Sequence, residues 1–297
     1  MAQTPDRWHR WLMDVRFGGD PAVREYTLAK VLYPVRETVL DKARLQPGDT
    51  VLDVGAGDGL IAFGALERLG PSGRVIFSDI SQDLLDYCRA AAEAEGLQDR
   101  CRFLLAPADS LAGIPSASVD VVTTRSVLIY VKDKAAALRE FFRVLRPEGR
   151  ISVFEPVNML MRDPDRFLGY DITPVRPLAA KVKALYESIQ APGEDPMLDF
   201  DDRDLVRYAE QAGFAEVGLE LRFTVKNGRD PVPWERVLRM AGNPRVPPLG
   251  EVLDQALTPH EIAEFTAYLK PLVESGGGQQ RSAIAYLTAA KGTPAPS

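Results

Sequence analysis

Cysteine and histidine are scarce in this chain: 297 residues hold two of each. Cys88 and Cys101 are too few for a disulfide scaffold and are not spaced as metal ligands. No metal site is therefore expected, and a reducing, cytoplasmic setting fits best. An excess of positive charge is also missing, with 36 Lys and Arg against 42 Asp and Glu and a formal net charge of -6. A general polyanion binder needs basic surface to displace counterions from phosphates, so nucleic acid is not an expected partner. No run approaches the ~20 apolar residues of a membrane span. The stretch from Met1 to Arg16 mixes Asp6, Arg7, His9, Arg10 and Asp14 with tryptophans, unlike the apolar core of a secretory signal. No membrane partner is expected, and no repeat of solenoid length is present.

What the chain does have is one dense motif. Thr50-Val51-Leu52-Asp53-Val54-Gly55-Ala56-Gly57-Asp58-Gly59 runs straight into Leu60-Ile61-Ala62-Phe63. Val51, Leu52 and Val54 form a strand pattern buried on both faces, and the residues after Gly59 form a helix pattern. Alternating glycines permit backbone angles and close approaches that a Cβ would obstruct, so a ligand can lie on the main chain. A tight turn without a ligand is the competing reading. Arg74 to Asp79 supplies a second strand and completes a βαβ unit with parallel strands. Asp79 then stands at a strand's carboxyl end, about 20 residues beyond the last turn glycine, where an acid accepts hydrogen bonds from a ribose diol. Helix capping is its alternative role; Ser81 is the better cap, which leaves Asp79 free.

Cys101 to Leu105, Val119 to Thr124 and Ile151 to Glu155 extend the alternation to five strands, which excludes an all-α or sandwich fold. Asp109 follows the third strand, Arg125 and Ser126 the fourth, and Glu155 ends the fifth. Residues 46–155, 199–227 and 280–291 form the expected core. Residues 1–45 form an N-terminal helical cap, with helices over 6–15 and 21–44. Trp8, Trp11, Leu12 and Val15 make one apolar stripe, and Val31, Val35, Val39 and Leu40 another. Pro34 should kink or restart the second helix, and Tyr26 and Tyr33 either pack or face a ligand. Proline-rich insertions at 156–198 and 228–279 carry helices near 177–190 and 259–273, the latter capped by Thr258, and a Pro/Ser tail ends the chain.

Together the glycine motif, Phe77-Ser78-Asp79, Ala108-Asp109 and Phe142-Arg143-Val144-Leu145-Arg146-Pro147-Glu148-Gly149-Arg150 resemble the class I S-adenosylmethionine-dependent methyltransferases. The resemblance covers about 46–225 and the last strand. It implies a Rossmann-like, doubly wound α/β fold, a mostly parallel seven-stranded sheet with helical cap insertions. It also implies S-adenosylmethionine as cofactor. By that likeness Gly55, Gly57 and Gly59 contact its methionine part, Asp79 the ribose, and Asp109 with Ser110 the adenine. Asp53 would help hold the amino group, Ile80 pack on the adenine, and the main chain near Arg125 and Ser126 line the methionine side. A nicotinamide dehydrogenase would more often carry glycine where Leu60 stands.

Methyl transfer is an in-line displacement, so holding the acceptor collinear and dry is the main task. A base is needed only where the acceptor must lose a proton early. His260 is one candidate, with a capping or surface role as the alternative; Glu155, then Tyr130 and Arg125, are candidates for substrate contact. The nucleic-acid type would carry Asn-Pro-Pro-Tyr or Asp-Pro-Pro-Tyr where Thr124-Arg125-Ser126-Val127 stands, and no Pro-Cys nucleophile or carboxylate cluster near the fourth strand is evident. The expected acceptor is a small molecule of secondary metabolism, and a homodimer is one option for assembly. The alternative is a methyltransferase-like protein that binds the cofactor but works as a cyclase or regulatory subunit.

Overall fold

The computed structural model describes residues 4–293; the tail from Pro294 to Ser297 lies outside them. Helix α1 (Arg7–Met13) starts at Asp6, whose carboxylate accepts the Trp8 and His9 N–H groups. A 3-10 turn over Val15–Phe17 follows, then α2 (Pro21–Thr27), a π-helical turn over Leu28–Leu32 and α3 (Tyr33–Ala43). Pro34 sits in the first turn of α3, and the wider π turn before it absorbs the missing donor. Val39 and Leu40 are buried as expected, but Val31, Tyr26 and Tyr33 are exposed. These three therefore neither pack in the core nor face a ligand cavity.

The alternating region runs β1 (Thr50–Val54), α4 (Leu60–Arg68), β2 (Arg74–Asp79), α5 (Gln82–Ala94), β3 (Cys101–Leu105), β4 (Val119–Arg125), α6 (Lys134–Val144) and β5 (Leu145–Pro156). A hairpin of β6 (Arg166–Phe167) and β7 (Tyr170–Asp171), then α7 (Arg176–Ile189), fills the first insertion. After α8 (Asp202–Ala212) and β8 (Glu216–Asn227), the second insertion holds α9 (Trp234–Arg239), α10 (Leu249–Ala256) and α11 (Pro259–Ser275), and β9 (Gln279–Ala290) closes the chain. Strand order is β3-β2-β1-β4-β5-β9-β8, seven strands in one sheet. β1 to β5 pair in parallel, and β9 lies antiparallel between β5 and β8.

That order follows from burial. Val51, Leu52, Val121 and Val122 are fully buried, so β1 and β4 must be covered on both faces. One face packs Leu52 and Val122 with Leu138 and Phe141 of α6; the other packs Val51 and Phe77 with Leu40 of α3 and Ile61 of α4. The chain winds outward from β1 to β3, then returns to lay β4 on the other side of β1. Such a reversal leaves a crevice at the carboxyl ends of the strands. The two insertions pack on each other through Leu178 and Val182 of α7 with Trp234, Val252 and Phe265, a third apolar cluster apart from the sheet.

Candidate cofactor and active site

A cavity of about 570 Å³ lies in that crevice. The sheet contributes Val54, Gly55, Gly57, Asp79, Ile80, Asp109, Arg125 and Ser126 to its wall. Of the three turn glycines, Gly55 and Gly57 line it and Gly59 does not. Packing within the protein explains the outer two. A Cβ on Gly55, whose φ is 65°, would stand 2.3 Å from Cγ2 of Val127, and one on Gly59 would stand 2.5 Å from the Phe63 ring. Gly57 meets nothing nearer than Cδ2 of Leu12 at 3.2 Å, so it is the position where a ligand can rest on the turn. Gly55→Ala should destabilise the protein by about 2–4 kcal/mol, combining overpacking with left-handed strain. Adding Val127→Ala should recover part of the loss in thermal melting, and no recovery would show that the Val127 contact is not the cause.

Asp79 is buried, and it is not free. One carboxylate oxygen accepts the Gly57 N–H and the other the Ser81 N–H, each at 2.9 Å. Ser81 does cap α5, accepting the Leu84 N–H at 3.1 Å, and its hydroxyl donates to Asp6 at 2.7 Å. Burial raises the Asp79 pKa, while main-chain donors at Gly57, Ser81 and Ile80 pull it back. Asp79 lines the cavity together with Asp109 and with Ile80, which is half exposed. Ser126 takes a left-handed backbone, φ 58°, at the end of β4. Ser110 is turned outward and lines no part of the wall.

Asp53 corrects another expectation. It lies under the turn, 2 % exposed, and accepts the Thr123 hydroxyl at 2.8 Å. Burial pushes its pKa to about 7, opposed first by the Thr123 hydrogen bond. It supports the site from beneath and is not part of the wall.

Glu155 is likewise no substrate contact. It is fully buried and accepts the N–H groups of Val127 at 2.9 Å, Leu128 at 2.8 Å and Ile129 at 3.1 Å. The carboxylate folds the chain after β4 into the 3-10 turn Leu128–Tyr130, which carries Tyr130 into the cavity. Tyr130 packs edge-on against Trp8, with ring centroids 5.1 Å apart. Burial lifts its hydroxyl to about 12 although the Arg16 charge opposes this, so at neutral pH it is a hydrogen-bond donor and not a base. His260 sits exposed in the first turn of α11, whose capping box is made by Thr258 and Glu261, and it lies outside the cavity wall. Cys88 lies beneath the turn and donates to the Gly57 carbonyl at 3.3 Å; burial pushes its thiol pKa up, leaving no nucleophile there.

Much of the rest of the wall comes from outside the sheet, and of it the sequence had marked Trp8, Trp11 and Leu12 only as an apolar stripe. Trp8, Trp11, Leu12 and Arg16 close one side, Asn158 and Met197 of the first insertion another, and Met240, Ala241, Gly242 and Arg245 of the second a third. Trp11 Nε1–H donates to the Ala241 carbonyl at 3.0 Å, and Arg245 to the Tyr130 carbonyl at 3.0 Å. An adenosyl sulfonium fits this donor set: it bears no phosphate, so it calls for carboxylates and an open glycine backbone, which is what the strand ends supply.

The comparisons agree. Residues 45–192 match the family described as methyltransferase domain. A ubiquinone/menaquinone biosynthesis C-methyltransferase of Hahella chejuensis is 32% identical over 177 residues, 59% of this chain and 70% of that one. Nocamycin O-methyltransferase of Saccharothrix syringae is 37% identical over 124 residues, 42% of this chain and 44% of that one. Among solved structures, phosphoethanolamine N-methyltransferase 2 of Haemonchus contortus, in complex with S-adenosyl-L-methionine, shares the fold with a TM-score of 0.52 at 14% identity, covering 96% of this chain and 56% of that one. No helix of the described residues is long and apolar enough to cross a membrane. With the strand order, the glycine turn and the two strand-end carboxylates, these matches show that the chain belongs to the class I, Rossmann-like S-adenosylmethionine-dependent methyltransferases.

Proposed function

We propose that this protein methylates a small organic molecule at a nitrogen, oxygen or carbon nucleophile, in the cytoplasm and within secondary metabolism. The carrying observation is the cavity itself. It holds the cofactor-type carboxylates on one side and, on the other, Trp8, Trp11, Tyr130 and Met240 from segments that cover the strand ends. Such a chamber has room for a small acceptor and none for a duplex or a folded polypeptide. When bound, S-adenosylmethionine supplies a methyl group on a positively charged sulfur.

The chain's own part is placement. Asp79, Asp109 and Ile80 are assigned to the adenosine, and Gly55, Gly57, Arg125 and Ser126 to the amino-acid end. The aromatic cap excludes water from the space beyond the sulfur and aligns the acceptor with it. Tyr130 can donate a hydrogen bond to a polar acceptor atom. Among the described residues no side chain in the wall is placed as a strong base, which suits an acceptor that arrives ionised or that loses its proton late.

The test is transfer of label from methyl-labelled S-adenosylmethionine to a panel of small phenols, amines and carboxylic acids. A labelled product is expected from at least one class. S-adenosylhomocysteine binding without transfer to any class would contradict methylation and point to the cofactor-binding, non-methylating alternative.

A further inference from the structure

The cavity is more cationic than a bound cofactor can balance. Arg16, Arg125, Lys132 and Arg245 line it, against the carboxylates of Asp79 and Asp109. Both carboxylates stand at the ends of β2 and β3, and Asp79 is already engaged by two main-chain N–H groups. Among the described residues Arg16 has no carboxylate partner. The acid that attracts it from nearby, Asp58, is itself paired with Arg24 at 3.5 Å.

Arg16 is held in place by other means. Its guanidinium lies 5.4 Å from the ring centroids of both Trp11 and Phe17. Trp11 is pinned to Ala241, and the following turn is clamped by Arg239 donating to the Gly18 carbonyl at 3.2 Å and by Arg236 against Asp20 at 3.4 Å. Burial, and then the charge of Arg125, pull the Arg16 pKa down to about 10. A preorganised, half-buried cation lining the same chamber as a second one is costly unless an anion joins it. The cofactor cannot fill that role fully, because its single carboxylate is accompanied by an ammonium and a sulfonium.

We propose that the methyl acceptor is an organic anion, bearing a carboxylate or an equally acidic oxygen, that docks between Arg16 and Arg125. This rests on the methyltransferase reading above. Arg16 belongs to the cap and Arg125 to the sheet, so the anion would bridge the two.

The other source of a carboxylate is the cofactor's own, and the experiment separates them. Protein loaded with S-adenosylhomocysteine is titrated with benzoate, 2-naphthoate and their uncharged carboxamides. The acids should bind at least ~30-fold more tightly than the amides, as loss of one partner of a buried charge pair implies. Arg16→Gln should remove that preference while leaving S-adenosylhomocysteine affinity within about threefold, which also reports that the variant is folded. Arg16→Lys should retain part of the preference, since it keeps the charge but loses the planar fork. Absence of any preference for the acids in the unaltered protein, through equal binding or none, overturns the proposal. So does an Arg16→Gln variant that weakens S-adenosylhomocysteine but not 5′-methylthioadenosine, which lacks the amino-acid portion, because Arg16 would then serve the cofactor. Failure of the unaltered protein to bind S-adenosylhomocysteine would instead contradict the cofactor assignment.

Discussion

Asp79→Ala should weaken S-adenosylhomocysteine binding by at least ~100-fold, the equivalent of about 3 kcal/mol or more. Two losses combine. The substitution removes a buried carboxylate from the place assigned to the ribose. It also strips the Gly57 and Ser81 N–H groups of their acceptor, so the glycine turn and the start of α5 lose their common anchor. Asp79→Asn tells the two apart. The amide keeps one acceptor oxygen for the turn but presents N–H donors, so it should preserve more of the thermal stability than of the affinity. Calorimetric titration with a melting curve for each variant checks this. Unchanged affinity in Asp79→Ala would place the cofactor elsewhere.

Glu155→Ala should cost about 3–5 kcal/mol of stability, since three buried main-chain donors lose their acceptor and a cavity is left. For a chain of this size that corresponds to a fall in melting temperature of roughly 6–15 °C. The turn Leu128–Tyr130 should loosen with it, and methyl transfer should fall further than the stability loss explains. The pH dependence has a defined sign. Burial raises the Glu155 pKa from the ordinary 4.5 to about 7, although the Val127, Leu128 and Ile129 N–H groups pull it down. Its contribution is therefore full below the unfolded value and is lost as pH rises through about 7. The stability advantage of the natural protein over Glu155→Gln should shrink between about pH 5 and about pH 8. A constant or growing advantage over that range would contradict the raised value.

Glu155 stands where strand spacing puts it, yet its carboxylate serves the main chain. Its position at the end of β5 is correct, and that edge does face the cofactor side. What spacing cannot show is that the chain after β4 folds back and presents three N–H groups to it. Short-range features were legible: the βαβ unit, the Gly57 turn, and Asp79 and Asp109 at strand ends all follow from spacing within about 60 residues. The same spacing overstated Gly59, because a glycine spared for the Phe63 ring looks no different from one spared for a ligand. Arg16 was missed for another reason. It continues the i, i+4 series of Trp8 and Leu12, which signals one shared face, but its partners Arg125 and Arg245 lie more than one hundred residues away. Only the folded chain brings those three guanidinium groups to one chamber.

The chamber at the β1/β4 switch point is assigned to an adenosyl sulfonium. Calorimetric titration of the intact protein with S-adenosylhomocysteine, set beside titrations with the oxidised and reduced nicotinamide dinucleotides, tests it most directly. One S-adenosylhomocysteine site per chain is expected, with no competition from either dinucleotide. Absence of S-adenosylhomocysteine binding, or its displacement by a dinucleotide, would contradict it.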